Sequence, residues 1–410
     1  MLEIESTHIE ELNDSMLRKL IGLLCEEELT KSHINVRKVF WGGHQNAADG
    51  GIDVRCEYEG ILDDNSFIPR NKVGFQVKLC DLKPKQILTE MRDKTDELKE
   101  SIQELCREKG AYILVCGKSS VTDIKYQNRI DAMKEAVRGY QGAESVCLDF
   151  MDGNRIATWV RSYPALIVWV REKISRPLQG WQAYGKWSDI HKKSYKNYIL
   201  DQEKRMYDYI EDQEITILEG IQRLRNLIRN GSAIIRITGL SGVGKTRMIE
   251  ALFDKQIGTD ALNSSKVIYA DAAENLVPSA EQMLREIIFK NAETTLIMDN
   301  CSAELHARLM AICRIQETRV SLITVEYDVK DKYTEETASF LLRPASDSAI
   351  QELLAKNYTA LPFATINRIV EISGGNARLA LIFAKSLSRE RIRKAQCFIK
   401  DTFKTIRRVS

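Results

Sequence analysis

The sequence predicts an α/β protein of more than one domain that ends in helices, and three observations carry that expectation. Strand-length apolar runs alternate with segments of helical period twice over, before residue 175 and again after residue 215. The stretch Gly239-Leu-Ser-Gly-Val-Gly-Lys245-Thr246 fits G-x-x-x-x-G-K-[ST] at every fixed position and lies between such a strand and such a helix. After Pro344 only helical periodicity is left, through Ser410.

Composition bounds the rest. With 410 residues, 44% apolar and 29% charged, the chain has the make-up of a soluble globular protein with room for two or three cores. A net charge of +2 gives no overall bias toward nucleic acid or membrane, so any such surface must come from local clustering. The nine cysteines include no C-x-x-C pair and are joined by only five histidines, which argues against a structural zinc site or a disulfide framework and for a reducing, cytoplasmic setting. The longest apolar stretch, Ala165-Leu-Ile-Val-Trp-Val170, is too short to span a bilayer, and no membrane partner is expected.

In chain order, the pattern predicts a helix from Ile9 to Leu29 and strands from Val36 to Trp41, Ile52 to Tyr58 and Val73 to Leu79. An amphipathic helix from Lys85 to Lys109, a strand from Ala111 to Cys116, and helices from Asp123 to Arg138 and Asn154 to Lys173 complete a domain over 1–175. Residues 176–214 read as a packed connector, punctuated by Pro177, Gly180 and Gly185 and carrying a charged helix from Ile190 to Tyr209. A second domain over 215–345 has a helix from Ile217 to Arg229 and strands from Ala233 to Thr238, Val267 to Ala270, Thr295 to Asp299 and Val320 to Val325. Strands alternating with helices imply a parallel sheet with its ligand at the carboxyl edge. Residues 346–410 are expected to form a helical domain, and no internal repeat is visible.

The glycine-rich stretch has a chemical reading. Gly239, Ser241, Gly242, Val243 and Gly244 would turn backbone N–H groups toward phosphate oxygens, Lys245 would reach the β/γ-phosphates, and Thr246 would hold Mg²⁺. Asp299, at the end of the apolar run Leu296-Ile-Met, is the candidate second magnesium ligand. Asn300 follows where a hydrolytic enzyme places a glutamate, so ATP hydrolysis is expected to be slow, with Glu326 the nearest substitute base.

A second constellation lies near the start of the chain. Asp49-Gly-Gly-Ile-Asp53 is followed by Gly74-Phe-Gln76-Val-Lys78, which would set Asp53 and Gln76 on adjacent strands and Gln76 and Lys78 on one face. An acid, an amide oxygen and a lysine are what metal-dependent phosphodiester cleavage needs: hard oxygens for Mg²⁺ and a cation beside the attacking water. Asp53 and Gln76 are the candidate metal ligands, and Asp53, Gln76 and Lys78 the candidate catalytic set. Glu11, Asp14 and Glu27 are all candidates for a third acid, and Asp49 for a turn or supporting role. Arg37, Lys38, Arg55, Lys72, Lys83, Lys85 and Arg92 could meet DNA phosphates, whereas Trp41 and Tyr58 read as core.

On these residues the N-terminal domain resembles the PD-(D/E)xK superfamily, most closely the Mrr-like restriction nucleases, whose glutamine variant is similar to Gln76-Val-Lys78; Ile52 stands where proline is usual. The second domain resembles the STAND branch of the AAA+-like P-loop NTPases, which includes NLR-type receptors, through Ser241-Gly-Val-Gly-Lys-Thr246, Phe340-Leu-Leu-Arg-Pro-Ala-Ser346 and Ser373-Gly-Gly-Asn-Ala-Arg-Leu-Ala-Leu381. It departs from that branch in carrying Ala377 for the usual proline and Thr324-Val-Glu-Tyr327 where an arginine commonly follows the fourth strand.

The two halves together, with Trp41-Gly-Gly-His-Gln-Asn46, Trp159-Val-Arg161 and Gly180-Trp181, resemble the antiviral STAND (Avs) family. The resemblance implies a restriction-endonuclease-like domain on a STAND NTPase, with Mg²⁺ and ATP as cofactors. Its expected partners are double-stranded DNA, further copies of the chain, and a viral trigger protein sensed by a region absent from this sequence. The implied function is an ATP-regulated DNA endonuclease of antiphage defence that is activated by nucleotide-dependent oligomerisation. The alternatives are an NTP-dependent scaffold whose nuclease-like domain only binds DNA, and a modification-dependent restriction enzyme.

Overall fold

The computed structural model describes residues 2–32, 34, 39–41, 51–62, 66–184, 198–315, 318–327 and 337–388. It forms two compact units: Met1–Tyr184 with Ser265–Ile268 and Val277–Thr294, and Gly185–Ser264 with Tyr269–Leu276 and Thr295–Ser410.

The first unit opens with helices Ser6–Glu10 and Asp14–Lys31. The single helix expected there is divided because Asn13 turns outward and its side chain accepts the Met16 N–H at 2.9 Å, starting a new helix. Strands β1 (Val39–Trp41), β2 (Val54–Glu57), β3 (Lys72–Lys78), β4 (Ala111–Cys116) and β5 (Cys147–Asp152) form a sheet in the order β1-β2-β3-β4-β5. The β1–β2 and β2–β3 pairs are antiparallel, and β3–β4 and β4–β5 are parallel. A short β6 (Trp181–Ala183) lies at the end of this stretch of chain. All six residues of β4 are buried, as a strand covered on both faces requires.

Two expected helices are broken. In place of one helix from Lys85 to Lys109 there are Pro84–Met91 and Glu100–Arg107, joined by an Arg92↔Leu98 bridge around a turn in which Asp93 Oδ1 accepts from the Thr95 and Glu97 N–H groups. The run after Asn154 divides into Gly153–Arg161 and Pro164–Lys173 because Pro164 has no N–H to continue the first helix and begins the second.

The second unit holds β7 (Arg205–Asp208), β8 (Gln213–Thr216), helix Ile217–Arg229, β9 (Ile234–Thr238) and helix Lys245–Ala251. There follow β10 (Val267–Asp271), β11 (Thr294–Asp299), helix Ala303–Arg314, β12 (Val320–Val325) and β13 (Ala338–Leu342), whose first residues in β10 and β11 fall in the first unit. Helices Asp347–Asn357, Phe363–Ser373 and 377–388 end the described chain. The strand order is β10-β11-β12-β9-β13-β7-β8. β9 runs parallel to both neighbours, β12 and β13, while β7 and β8 extend the sheet antiparallel. This is a mixed α/β, P-loop NTPase-like fold, with β9 delivering its loop to the middle of the carboxyl edge.

The charged helix expected from Ile190 to Tyr209 falls partly on 185–197, outside the described residues, and its last turn is instead β7. There Met206 and Asp208 point inward and the backbone pairs with β13 in register Leu342↔Met206. The alternation was hidden by the charges around it.

Arg225 is fully buried on helix Ile217–Arg229. Its five guanidinium N–H groups meet five carbonyls, those of Ala251, Leu252, Asp254, Ile257 and Thr259, at 2.7–3.0 Å. The segment leaving helix Lys245–Ala251 is thereby tied to the helix before β9.

Candidate functional sites

The candidate nucleotide site is built at the C-terminal end of β9. Gly239, Gly242 and Gly244 have φ of 145°, 83° and 97°, values that favour glycine and let the loop fold around its own amides. Lys245 Nζ donates to the Gly239 and Leu240 carbonyls at 2.6 and 3.0 Å. Burial lowers the Lys245 pKa, while Asp299 and Glu326 oppose that shift. The Thr246 hydroxyl donates to Asp299 Oδ2 at 2.8 Å, and the Tyr269 hydroxyl donates to the same oxygen at 3.2 Å. Thr246 and Asp299 thus present a hydroxyl and a carboxylate at one point, a donor pair that suits Mg²⁺. Asn300, at φ 49°, donates through Nδ2 to Asp271 Oδ1 at 2.8 Å. Glu326 is buried beside the site, with its N–H on the Ile237 carbonyl.

A cavity of about 680 Å³ opens over this loop, within the range of small-molecule sites. Ser241, Gly242 and Lys245 line it, and Ala349, Leu353 and Leu381 supply apolar surface. The 377–388 helix reaches the loop directly: Asn376 Nδ2 donates to the Ser241 carbonyl at 2.8 Å, and the Arg378 N–H donates to the Gly242 carbonyl at 3.3 Å. A Cβ at Gly242 would stand 2.3 Å from Asn376 Oδ1 and 2.9 Å from Arg378 Cβ. Gly242→Ala is therefore expected to weaken ATP binding about tenfold through strain of about 1–3 kcal/mol in the loop, measured by isothermal titration.

In the first unit, Asp53 stands one residue before β2. Its N–H donates to the Phe75 carbonyl at 2.8 Å, and its Oδ2 accepts the Val77 N–H at 2.8 Å, which fixes it against β3. Arg18 Nε lies 3.0 Å from Asp53 Oδ1, and Arg18 Nη2 lies 2.8 Å from Asp14. Burial raises the Asp53 pKa; the Val77 hydrogen bond, Arg18 and Lys78 oppose the rise, and Asp14 adds to it. Gln76 is 5% exposed, and its Oε1 has no hydrogen-bond partner. Lys78 Nζ is 3.0 Å from Glu90 Oε1, which Lys99 Nζ also approaches at 3.2 Å.

Asp53, Gln76 and Lys78 are thus brought together by the β2–β3 pairing. Of the three candidate third acids, Asp14 joins the cluster through Arg18. Glu11 pairs instead with Arg176, and Glu27 accepts from Ser265 with its pKa pushed up to about 7 by burial. Asp49 lies outside the described residues. Glu90 was missed because its helix meets Lys78 only in the folded unit. The orphaned Gln76 oxygen and the Asp53 carboxylate suit a hard cation, which would have to displace Arg18 from Asp53. Among the described residues no group of three or more His, Cys, Asp or Glu side chains could hold a metal.

Several of the proposed phosphate contacts are already neutralised: Arg55 pairs with Glu57 and Glu104, Lys72 with Glu108 and Arg92 with Asp96. Lys83 and Lys85 are exposed at the start of helix Pro84–Met91, and Arg37 and Lys38 lie outside the described residues. Trp41 packs its ring over Gly22, and Tyr58 is buried. Among the described residues no helix is long and apolar enough to cross a membrane.

No family model matches the chain, and no curated protein matches it significantly. Among solved structures it is similar in part to the HORMA:CdnC:Trip13 complex of E. coli MS115-1, at 12% identity and TM-score 0.27 over 38% of this chain and 73% of that one. It is also similar to a signal transduction ATPase with numerous domains (STAND) and a tetratricopeptide repeat sensor from Pyrococcus horikoshii, at 15% identity and TM-score 0.26 over 38% of this chain and 28% of that one. C. elegans PCH-2 matches at 12% identity and TM-score 0.27, over 43% of this chain and 67% of that one. Overlaps this loose carry no argument; the NTPase-like reading of the second unit rests on its own strand order and loop.

Proposed function

We propose that the chain is a nucleotide-controlled DNA nuclease: an ATP-binding switch with slow hydrolysis, coupled to a Mg²⁺-dependent endonuclease and serving antiphage defence through nucleotide-dependent self-association. The observation that carries the switch is the phosphate loop with Thr246 hydrogen-bonded to Asp299 beneath a 680 Å³ cavity. The amide of Asn300 cannot accept a proton from water, which supports binding rather than rapid turnover as the signal. The nuclease half is supported by the convergence of Asp53, Gln76 and Lys78. A second reading, a DNA-binding scaffold without cleavage, is favoured by the ion pairs that hold Asp53 on Arg18 and Lys78 on Glu90.

Plasmid nicking with Mg²⁺, with and without ATP, separates the two. Lys245→Ala removes the cation that the loop presents to phosphate and is expected to weaken ATP about a hundredfold, about 2.7 kcal/mol. Nicking should then lose its response to ATP while the Asp53 cluster stays intact. Nicking equal with and without ATP in the unaltered protein would remove the nucleotide control, and DNA binding without nicking would select the scaffold.

A further inference from the structure

Lys204 lies on the segment before β7, in a stretch with no nucleotide-binding pattern, yet it enters the nucleotide cavity. Its Nζ donates to the Val243 carbonyl at 2.6 Å and is 3.9 Å from where a Cβ on Gly244 would stand. Among the described residues no carboxylate forms an ion pair with it. The segment is held in place: Asp201 accepts the Glu203 and Lys204 N–H groups, and also the N–H and hydroxyl of Ser346 at 2.8 Å. Two ammonium groups therefore flank one glycine-rich loop, Lys245 on the Gly239 and Leu240 carbonyls and Lys204 on that of Val243.

We propose that Lys204 is a second phosphate-directed cation of this site, exchanging the Val243 carbonyl for the polyphosphate of a bound nucleoside triphosphate. This rests on the nucleotide-binding reading above. A carbonyl is a weaker partner for an ammonium than a phosphate oxygen, so the exchange favours binding. The electrostatics agree. Burial pulls the Lys204 pKa down to about 8, with neighbouring Lys245 adding to the fall and Asp201 opposing it. Asp299 and Glu326 face Lys245, and Arg378 and Lys385 line the same cavity. A bound anion would raise the Lys204 pKa. Affinity is thus full below pH 8 and falls above it, where the empty site has lost the proton that the complex keeps.

The test is ATP·Mg²⁺ titration of the full chain from pH 7 to 9, with Lys245→Ala alongside. Unaltered protein should lose about tenfold in affinity by pH 9. Lys204→Ala should bind about tenfold more weakly at pH 7. Lys204→Arg, which stays charged, should keep the pH 7 affinity and lose most of the pH dependence. Lys204→Ala binding as tightly as the unaltered protein, or Lys204→Arg following its pH profile, would overturn the assignment. An unaltered protein that binds no ATP at any pH would instead overturn the nucleotide reading beneath it, a different result.

Discussion

Asp53→Ala is expected to lower DNA cleavage at least about a thousandfold while leaving ATP affinity unchanged. The Asp53 carboxylate is the anionic ligand held against β3 at this point, and Gln76 beside it is neutral. Alanine also leaves the Val77 N–H without its acceptor and Arg18 without its partner, so lost cleavage alone could reflect a loosened strand. Asp53→Asn answers this: it keeps an oxygen for the Val77 N–H, removes only the charge, and should be as inactive at unchanged melting temperature. Gln76→Glu, which supplies a charged oxygen at the orphaned position, should retain cleavage. Plasmid nicking in Mg²⁺ reads all three, and full activity of Asp53→Asn would exclude the cation site.

The second large effect concerns stability. Arg225→Ala is expected to destabilise the protein by about 3–5 kcal/mol, the cost of leaving buried carbonyls short of a donor and of emptying the space of a large buried side chain. Five carbonyls between 251 and 259 lose a donor together where the chain leaves helix Lys245–Ala251, although those of Ala251, Leu252 and Asp254 keep a backbone N–H. Arg225→Lys should recover only part of the loss, since an ammonium has three donors for five acceptors. Chemical denaturation measures both. A loss below about 1 kcal/mol for alanine would show that water replaces the guanidinium.

Features with local chemistry were legible in the sequence. The phosphate loop was readable because its glycines, lysine and threonine act within one turn of chain, and the β2–β3 hairpin because Asp53, Gln76 and Lys78 are placed by strand alternation alone. What escaped depends on long-range packing. Lys204 and Glu90 look like solvated charges until the fold brings them to Val243 and Lys78. Arg225 lies on a helix with several other charged residues, and nothing local marks it as the buried one. β5, Cys147-Leu-Asp-Phe-Met-Asp152, was not expected because two aspartates interrupt its apolar run; Asp149 is held by Arg155 and Tyr126. The helices from Lys85 and Asn154 were drawn too long because apolar periodicity outlasted the Asp93 turn and the Pro164 stop.

The contact between Asn376 and Ser241 also bears on the order in which the chain can fold. Its partners are 135 residues apart, and both sheet neighbours of β9, β12 and β13, are made after the loop itself. A nascent chain that has just emitted Lys245 from the ribosome therefore has a phosphate-loop sequence but no phosphate-loop structure. The loop gains its shape only after β12, β13 and the residues around Asn376 have followed. A fragment cut between β13 and residue 376 would keep every residue of the glycine-rich motif and lack two of the hydrogen bonds that shape it, so ligand binding by such fragments underreports the intact protein.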